Sequence, residues 1–144
     1  MRAEDVLARL GSTQRMAITL SRKLHYWNRR MTHRNAHPAY VEIAEYSDQF
    51  LRVSSYLFRI SGDVESITRL PKDARQRRDK ADTAILRGAL SSILHTQLLA
   101  AETVFTLRIL ALEYSDRRKK DRSLSKSVAR LAKRVDELSS ADYP

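Results

Sequence analysis

Apolar residues recur at alternating spacings of three and four in three separate stretches of this chain. The first stretch runs from Ala3 to Met31, the second from Ile43 to Ile67, and the third from Leu124 to Leu138. An alternation of this kind places apolar side chains along one side of an α-helix, as in packed helices. Each stretch is therefore predicted to be a helix that buries one narrow seam, and Leu24 of the first seam is expected in the core.

A further stretch, between Ala84 and Leu112, carries apolar residues on more than one side of a helix. Such a helix is either the centre of a bundle or a surface that oligomers bury, and we expect its Leu94 to be buried. Glycine and proline number three each among 144 residues, too few for the many turns of an all-β fold. The predicted fold class is all-α, an antiparallel bundle of four to five helices with a long apolar central helix. Residues 1–138 are predicted to form a single helical domain, followed by a flexible tail at 139–144.

Proline, glycine and serine residues suggest where the helices begin and end. Pro38 suits the first turn of the second helix, and Pro71 closes that unit. Gly62 could divide the second helix in two, so the sequence leaves the number of helices open. Ser123 and Ser125 are both suitable N-caps for the last helix.

The most apolar run of the chain, residues 88–107, does not resemble a membrane span. It contains His95, Gln97 and Glu102 and is bounded by arginines, which favours a buried helix of a soluble protein. No apolar run typical of a signal peptide follows Met1. We therefore expect a cytoplasmic protein without membrane contact. The absence of cysteine excludes disulfides, a thiol nucleophile and cysteine-built metal sites.

Positive charge is the clearest functional signal in the sequence. Lys and Arg total 27 against 17 Asp and Glu, a formal net charge of +10. Seven basic residues of the first helix occupy two adjacent heptad positions, and at 1.5 Å rise per residue they extend over about 42 Å. These residues, the α1 stripe, are Arg2, Arg9, Arg15, Arg22, Lys23, Arg29 and Arg30.

A second basic row is predicted on the last helix, where spacings of four, four and three join Arg122, Lys126, Arg130 and Lys133. Rows of one charge repel each other, whereas a solvated helix face usually mixes both charges. We favour a polyanion as the partner, because such rows can neutralise successive phosphates and release their counterions. Two other interpretations stay open, namely pairing with acidic residues of the second helix or of another subunit, and plain solvation.

Catalytic motifs are few. The chain lacks the glycine-rich nucleotide loops, the HExxH zinc motif and the EF-hand loop, and it lacks the ligands that would join His95 and Glu102 in a di-iron bundle. No cofactor, metal site or catalytic residue is predicted, and we do not expect an enzyme. Arg30 and His37, with His33 nearby, resemble the Arg–His motif of HEPN ribonucleases. That resemblance implies His37 as a general acid or base at a ribose 2′-hydroxyl and Arg30 as a stabiliser of the phosphorane.

The predicted function is non-enzymatic, largely sequence-independent binding of RNA or DNA backbone by a helical subunit of a nucleoprotein complex. Tyr26, beside the α1 stripe, is placed to stack on a base. In length, helicity and charge the chain is similar to the basic helical small subunits of CRISPR surveillance complexes and to the basic four-helix accessory proteins of retroelements. We also expect a homo-oligomer or a subunit of a larger complex. The alternatives are a structural or adaptor subunit whose basic helix docks an acidic protein surface and, more remotely, the HEPN-like ribonuclease.

Overall fold

Four helices account for nearly all residues that the computed structural model describes, which are 2–31, 37–71, 79–115, 119–141 and 143. They are α1 (Ala3–Met31), α2 (Pro38–Thr68), α3 (Asp79–Ser115) and α4 (Lys119–Ser139). None of these described residues belongs to a β-strand. The prediction of an all-helical fold is therefore confirmed, with the lower of the two expected helix numbers.

Helices α1 and α2 are each continuous over their full length. Gly62, where the sequence leaves a break open, lies inside α2, which ends at Thr68. Pro38 occupies the first turn of α2, as predicted. The residue before it, His37, is the N-cap, and its Nδ1 accepts a hydrogen bond from the Ala39 amide at 3.1 Å. This bond satisfies one of the amides that have no partner within the helix.

The core consists of two clusters that both use the predicted seams of α1 and α2. In one cluster Val6 and Leu10 of α1 pack with Leu57 and Val64 of α2 and with the beginning of α3. The other cluster joins the second half of α1 to the first half of α2, to the rest of α3 and to α4. Leu24 lies in this larger cluster and is fully buried, as expected.

Two serines hold α1 against α2 in the middle of the larger cluster. The hydroxyl of Ser21 donates to the carbonyl of Ser47 at 2.8 Å, and the hydroxyl of Ser47 donates to the carbonyl of Ser21 at 2.8 Å. Both serines are buried. Small side chains let the two helices approach closely, and the reciprocal bonds satisfy both hydroxyls, which would otherwise be costly to bury.

Helix α3 is long and apolar, but it is buried on one side only. Its buried side includes Ala89, Ile93, Thr96, Thr103 and Leu107. The two threonines are accommodated because their hydroxyls donate to backbone carbonyls four residues earlier, at 2.8 and 2.7 Å. Such bonding lets a polar residue occupy a core position of a helix.

The other side of α3 exposes large apolar side chains, and the expectation that Leu94 is buried is wrong. We call this row the α3 stripe. Its members, with their exposed fractions, are Leu94 (55%), Leu98 (60%), Phe105 (66%), Ile109 (40%) and Leu112 (68%). The physical reason is that α1, α2 and α4 all contact the buried side. The sequence predicts apolar residues on two sides of α3, but it does not indicate which side the other helices cover.

The last helix begins earlier than predicted. The dense run of charged residues 116–122 in the sequence predicts a turn or a frayed helix end. Residues Lys119–Arg122 nevertheless belong to α4, so Ser123 and Ser125 are not its N-caps. Ser125 is instead buried, and its hydroxyl donates to the carbonyl of Ala111 in α3. The remainder of that run, 116–118, lies outside the described residues.

Helix α3 is also long and apolar enough to cross a membrane by length and composition alone. The segment concerned is Lys80–Ser115, and 44% of its most apolar window is buried within the fold. A core helix of a soluble protein passes the same test, so length and composition alone do not indicate a membrane span here.

Candidate nucleic-acid interface

The cations of the α1 stripe all reach solvent. Lys23 is half-buried, and the other six members are exposed. They share the side of α1 that the seam does not use, because the seam turns Val6, Leu10, Leu20 and Leu24 into the core. The apolar periodicity that places one side of α1 in the core therefore also determines which side of the helix carries the positive charge.

The basic row of α4 is exposed as well. Arg122, Lys126, Arg130 and Lys133 all lie on the surface, while Leu124, Val128, Leu131 and Val135 are buried in the larger core cluster. Because α4 packs against α1 as well as α3, its cations lie on the same body as the α1 stripe.

The two basic rows meet at a cleft between the second half of α1 and the second half of α4. The cleft encloses about 370 Å³, which lies within the range of about 300–1,000 Å³ typical of ligand sites. Its lining combines cations, aromatic rings and apolar side chains. The residues are Lys23, Tyr26, Trp27, Arg30 and Met31 from α1, and Ser127, Arg130, Leu131 and Arg134 from α4.

Three predicted site residues line this cleft, and the others do not. Lys23, Arg30 and Arg130 are brought together. Eight predicted residues are placed elsewhere on the exposed surfaces of α1 and α4: Arg2, Arg9, Arg15, Arg22, Arg29, Arg122, Lys126 and Lys133. The α1 stripe is thus longer than the cleft and extends from it toward the beginning of α1.

Arg134 lines the cleft but is absent from the predicted set. The predicted row follows spacings of four, four and three and passes from Arg130 to Lys133. Arg134 lies four residues after Arg130, so it shares that side of the helix equally well. Spacing within α4 alone cannot choose between Lys133 and Arg134, because the choice depends on where α1 packs.

Aromatic side chains form one wall of the cleft. Tyr26 is 58% exposed, and the guanidinium carbon of Arg30 lies 5.7 Å from the centre of its ring. Trp27 is half-buried, and its ring centre lies 6.1 Å from that of Tyr40 on α2. Trp27 is therefore held by the bundle, while Tyr26 projects from it.

The helix dipole accounts for only part of the positive charge. Arg29 and Arg30 lie in the last turn of α1, where the carbonyl ends favour cations by about 0.3–1 kcal/mol each. This effect fades within one turn, so it does not explain Arg9, Arg15 or Arg22. The helix dipole therefore accounts for at most two of the seven cations of the α1 stripe.

Several acidic residues pair with cations outside α1. Glu65 binds Arg69 near the end of α2. Asp136 of α4 lies 3.6 Å from Arg108 of α3, and Glu137 lies 3.3 Å from Arg134. These pairs are all exposed by about half or more, so each contributes little to stability.

The histidine that resembles a ribonuclease residue has a structural role in the fold. Beyond capping α2 through Nδ1, the ring of His37 packs edge-on against Tyr114, with ring centres 4.6 Å apart. His33 lies outside the described residues. Within the described parts of the chain, no three His, Asp or Glu residues are grouped so that they could hold a metal ion.

Comparison with known proteins does not assign this chain to a group. It matches no protein-family model, no curated protein and no solved structure at a significant level.

Proposed function

We propose that the protein binds the phosphate backbone of RNA or DNA without regard to sequence and without catalysing a reaction. The observation that carries this proposal is the convergence of two basic rows, one on α1 and one on α4, around a single cleft. Cations from separate helices at one site indicate a surface for an anion, because like charges gathered there repel each other in the absence of a partner.

The length of the α1 stripe favours a polymer over a small anion. Arg2 and Arg30 are separated by about 42 Å along the helix at 1.5 Å per residue. Phosphates on one strand of a duplex occur about every 3.4 Å along the axis, so several can lie beside the stripe at once. A small anion in the cleft would be too short to reach Arg2, Arg9 or Arg15.

We also propose that the four helices form an antiparallel bundle. Contacts between α1 and α2 support this arrangement, because Trp27 near the end of α1 meets Tyr40 near the beginning of α2. Ser21, which is farther from the end of α1, likewise meets Ser47, which is farther from the beginning of α2.

The experiment that tests the function is a salt titration of binding. The affinity for a 20-base-pair duplex and for a single strand of equal length is measured between 50 and 300 mM salt. Phosphate contacts predict a linear fall of log affinity with log salt, with a slope of about −0.9 per contact on duplex DNA. Binding of neither polymer at the lowest salt would contradict the proposal. Binding of polyglutamate in their place would support the adaptor alternative.

The α3 stripe supports a second proposal, that two copies of this chain associate through α3. Leu94 and Ile109 lie equally far from the midpoint between Ala101 and Glu102, as do Leu98 and Phe105. An antiparallel pair of α3 helices related by a twofold axis would therefore place Leu98 of each copy against Phe105 of the other. Ala101, small and exposed, lies at the centre and allows close approach.

Charge also favours a second copy on this surface. A chain with a net charge of +10 repels its own copies, and no lysine or arginine occurs between Arg87 and Arg108. The one charged residue of that interval, Glu102, lies beside Tyr46 of α2 rather than alone on the stripe. The α3 stripe is thus a surface where two copies can meet without bringing cations together.

Light scattering with Phe105→Glu tests the self-association. The native chain is expected at twice its mass of 16.6 kDa, and Phe105→Glu at the monomer mass with unchanged helical circular dichroism. Leu51→Glu, at a position 55% exposed on α2, is the matched control and should remain dimeric. A native monomer at 100 μM would contradict the proposal. Sedimentation of that monomer with phosphatidylcholine vesicles would indicate that a membrane covers the stripe.

A further inference from the structure

We infer that the cleft between α1 and α4 receives one unpaired nucleobase, so that the protein prefers single-stranded over double-stranded nucleic acid. This inference rests on the proposed backbone binding and names the form of polymer that it selects. It starts from the chemistry of the lining. Phosphate contacts need only cations and hydrogen-bond donors, yet about half of the lining residues are aromatic or apolar.

The apolar part of the cleft fits a base better than it fits a phosphate. Trp27 and Met31, both half-buried, supply apolar surface, and Tyr26 supplies an exposed ring at the entrance. Bases stack on such rings whatever their identity, because every base has a π-face. Stacking of this kind is compatible with binding that does not depend on sequence.

Cations border the aromatic wall on both helices. Lys23 and Arg30 come from α1, and Arg130 and Arg134 come from α4. A base inserted in the cleft would therefore have positive charge on either side for the phosphates that precede and follow it. The guanidinium of Arg30, already beside the Tyr26 ring, offers a second flat surface for stacking.

A duplex cannot use this cleft without being opened. Its bases are stacked on their neighbours and paired across the helix, so one base must first be extruded at a cost in free energy. A single strand presents its bases without that cost. The exposed cations from Arg2 to Arg22 remain available to both forms, so duplex binding is expected to persist with lower affinity.

The chain provides its own reporter and its own control for testing this inference. Trp27 is its one tryptophan and lines the cleft, so its fluorescence reports occupation directly. Tyr56 of α2 matches Tyr26 closely, since it is 51% exposed and has the Arg59 guanidinium carbon 5.9 Å from its ring centre. Tyr56 lies outside the cleft lining, so it controls for the loss of an exposed tyrosine beside an arginine.

The experiment titrates the protein with a 15-nucleotide oligo-dT and with a 15-base-pair duplex at one salt concentration. We expect quenching of Trp27 fluorescence by oligo-dT, and a fall in oligo-dT affinity of about 5- to 150-fold for Tyr26→Ala. Duplex affinity should stay within about twofold in that variant. Tyr26→Phe should retain the native affinity because it retains the ring, and Tyr56→Ala should change neither affinity.

Three results would overturn the inference, and they separate it from the proposed function. Equal affinity of the native protein for the single strand and the duplex would overturn the single-strand preference while leaving backbone binding intact. An unchanged oligo-dT affinity in Tyr26→Ala, with native circular dichroism, would overturn the stacking role and also leave backbone binding intact. Failure of the native protein to bind either polymer at 50 mM salt would overturn both.

Discussion

Helices α1 and α3 expose opposite kinds of surface. The exposed side of α1 carries the seven cations of the α1 stripe, whereas the exposed side of α3 carries five large apolar side chains and no cation between Arg87 and Arg108. Each surface carries a cost when it has no partner, because the like charges of α1 repel each other and the contiguous apolar area of α3 is more stable when buried. We infer that one bundle presents two surfaces to partners of different chemistry, a polyanion on α1 and a second copy on α3.

The comparison shows how far apolar periodicity determines which side of a helix is buried in the core. Helix α1 has one seam, so burying Leu10, Leu20 and Leu24 leaves its charged side outward without ambiguity. Helix α3 has apolar residues on two sides, and only the one that includes Ile93 and Leu107 is covered by the rest of the chain. The described parts of the chain leave the second apolar row of α3 uncovered.

The largest expected effect separates a buried leucine from an exposed one. Leu24→Ala should lower the free energy of unfolding by about 2–5 kcal/mol, because it removes a fully buried side chain and leaves a cavity. Leu94→Ala, the same change at a position 55% exposed, should cost less than about 0.5 kcal/mol in the dilute monomer. Urea denaturation measured by circular dichroism tests both. Equal losses of unfolding free energy in the two variants would contradict the conclusion that Leu24 is buried and Leu94 is exposed.

The next largest effect concerns the cations of the α1 stripe. Replacing Arg15, Arg22 and Arg29 by Glu should reduce nucleic-acid affinity at 50 mM salt by about 100-fold or more, since each charged contact contributes about 1.5–3 kcal/mol. The helical circular dichroism should not change, because all three side chains are exposed. Fluorescence anisotropy with a labelled oligonucleotide measures the loss.

A matched control for that triple variant is available on α2. Replacing Arg52, Arg59 and Arg69 by Glu changes the net charge by the same amount at exposed positions outside both basic rows. Its affinity should fall by less than about tenfold, through the general change in charge alone. If the two triple variants bind equally weakly, net charge rather than the α1 stripe governs binding.

A smaller effect is expected when the sequence of the bound polymer changes. The exposed cations are arranged along helix axes, and contacts of that kind go to phosphates, which position the polymer without reading it. Scrambling an oligonucleotide at constant length and strandedness should change its affinity by less than about tenfold, whereas one well-read base pair is worth about 1–3 kcal/mol. A thousandfold preference in a competition assay would indicate a recognition helix, and α4 is the first place to look.

The smallest expected effect lies at the contact between α2 and α3. The hydroxyls of Tyr46 and Thr106 are 2.9 Å apart, so Tyr46→Phe should lower the free energy of unfolding by about 0.5–1.5 kcal/mol. Tyr56→Phe, on the exposed side of α2, should change it by less than about 0.5 kcal/mol. Thermal denaturation of the two variants at pH 7 provides the measurement.

The contribution of Tyr46 should also disappear at alkaline pH. Burial, and to a smaller extent the nearby Glu102 and Glu42, raise the pKa of the Tyr46 phenol above its ordinary value of 10.0. The unfolded chain then releases this proton first, so the stability is fully present below pH 10.0 and is lost as the pH rises through the higher folded pKa. The difference between native protein and Tyr46→Phe should therefore shrink above pH 10. A stability difference between the two proteins that grows above pH 10 would contradict this prediction.

Much of the fold could be predicted from periodicity, and the helix ends less well. The seams of α1 and α2 are buried as expected because a single apolar row has only one way to face a core. The beginning of α4 is missed because Ser125, a suitable cap in isolation, instead bonds Ala111 of α3. That contact depends on tertiary packing, and local sequence carries no signal for it.

The candidate site could be predicted only in its separate parts. The two basic rows are visible in the sequence, since charge spacing is a local property of each helix. The cleft is not visible, because it arises where α1 packs beside α4, and that packing decides that Arg134 rather than Lys133 lines it. Of its aromatic wall, the exposure of Tyr26 could be predicted because Tyr26 lies off the seam. The partial exposure of Trp27 could not, because it depends on the packing of Trp27 against Tyr40 of α2.

The reciprocal bonds between Ser21 and Ser47 also determine where disorder is lost when a complex forms. Sliding α1 along α2 by one turn, about 5.4 Å, would break both buried bonds, so the backbone of α1 keeps a fixed position relative to α2. If the proposed polymer binds, the backbone of the protein would lose little conformational entropy, and the ordering would fall on the exposed basic side chains and on the polymer. Under the proposed function, a flexible strand would give up its own conformational freedom to follow this row of charges, so its length and stiffness would help set its affinity.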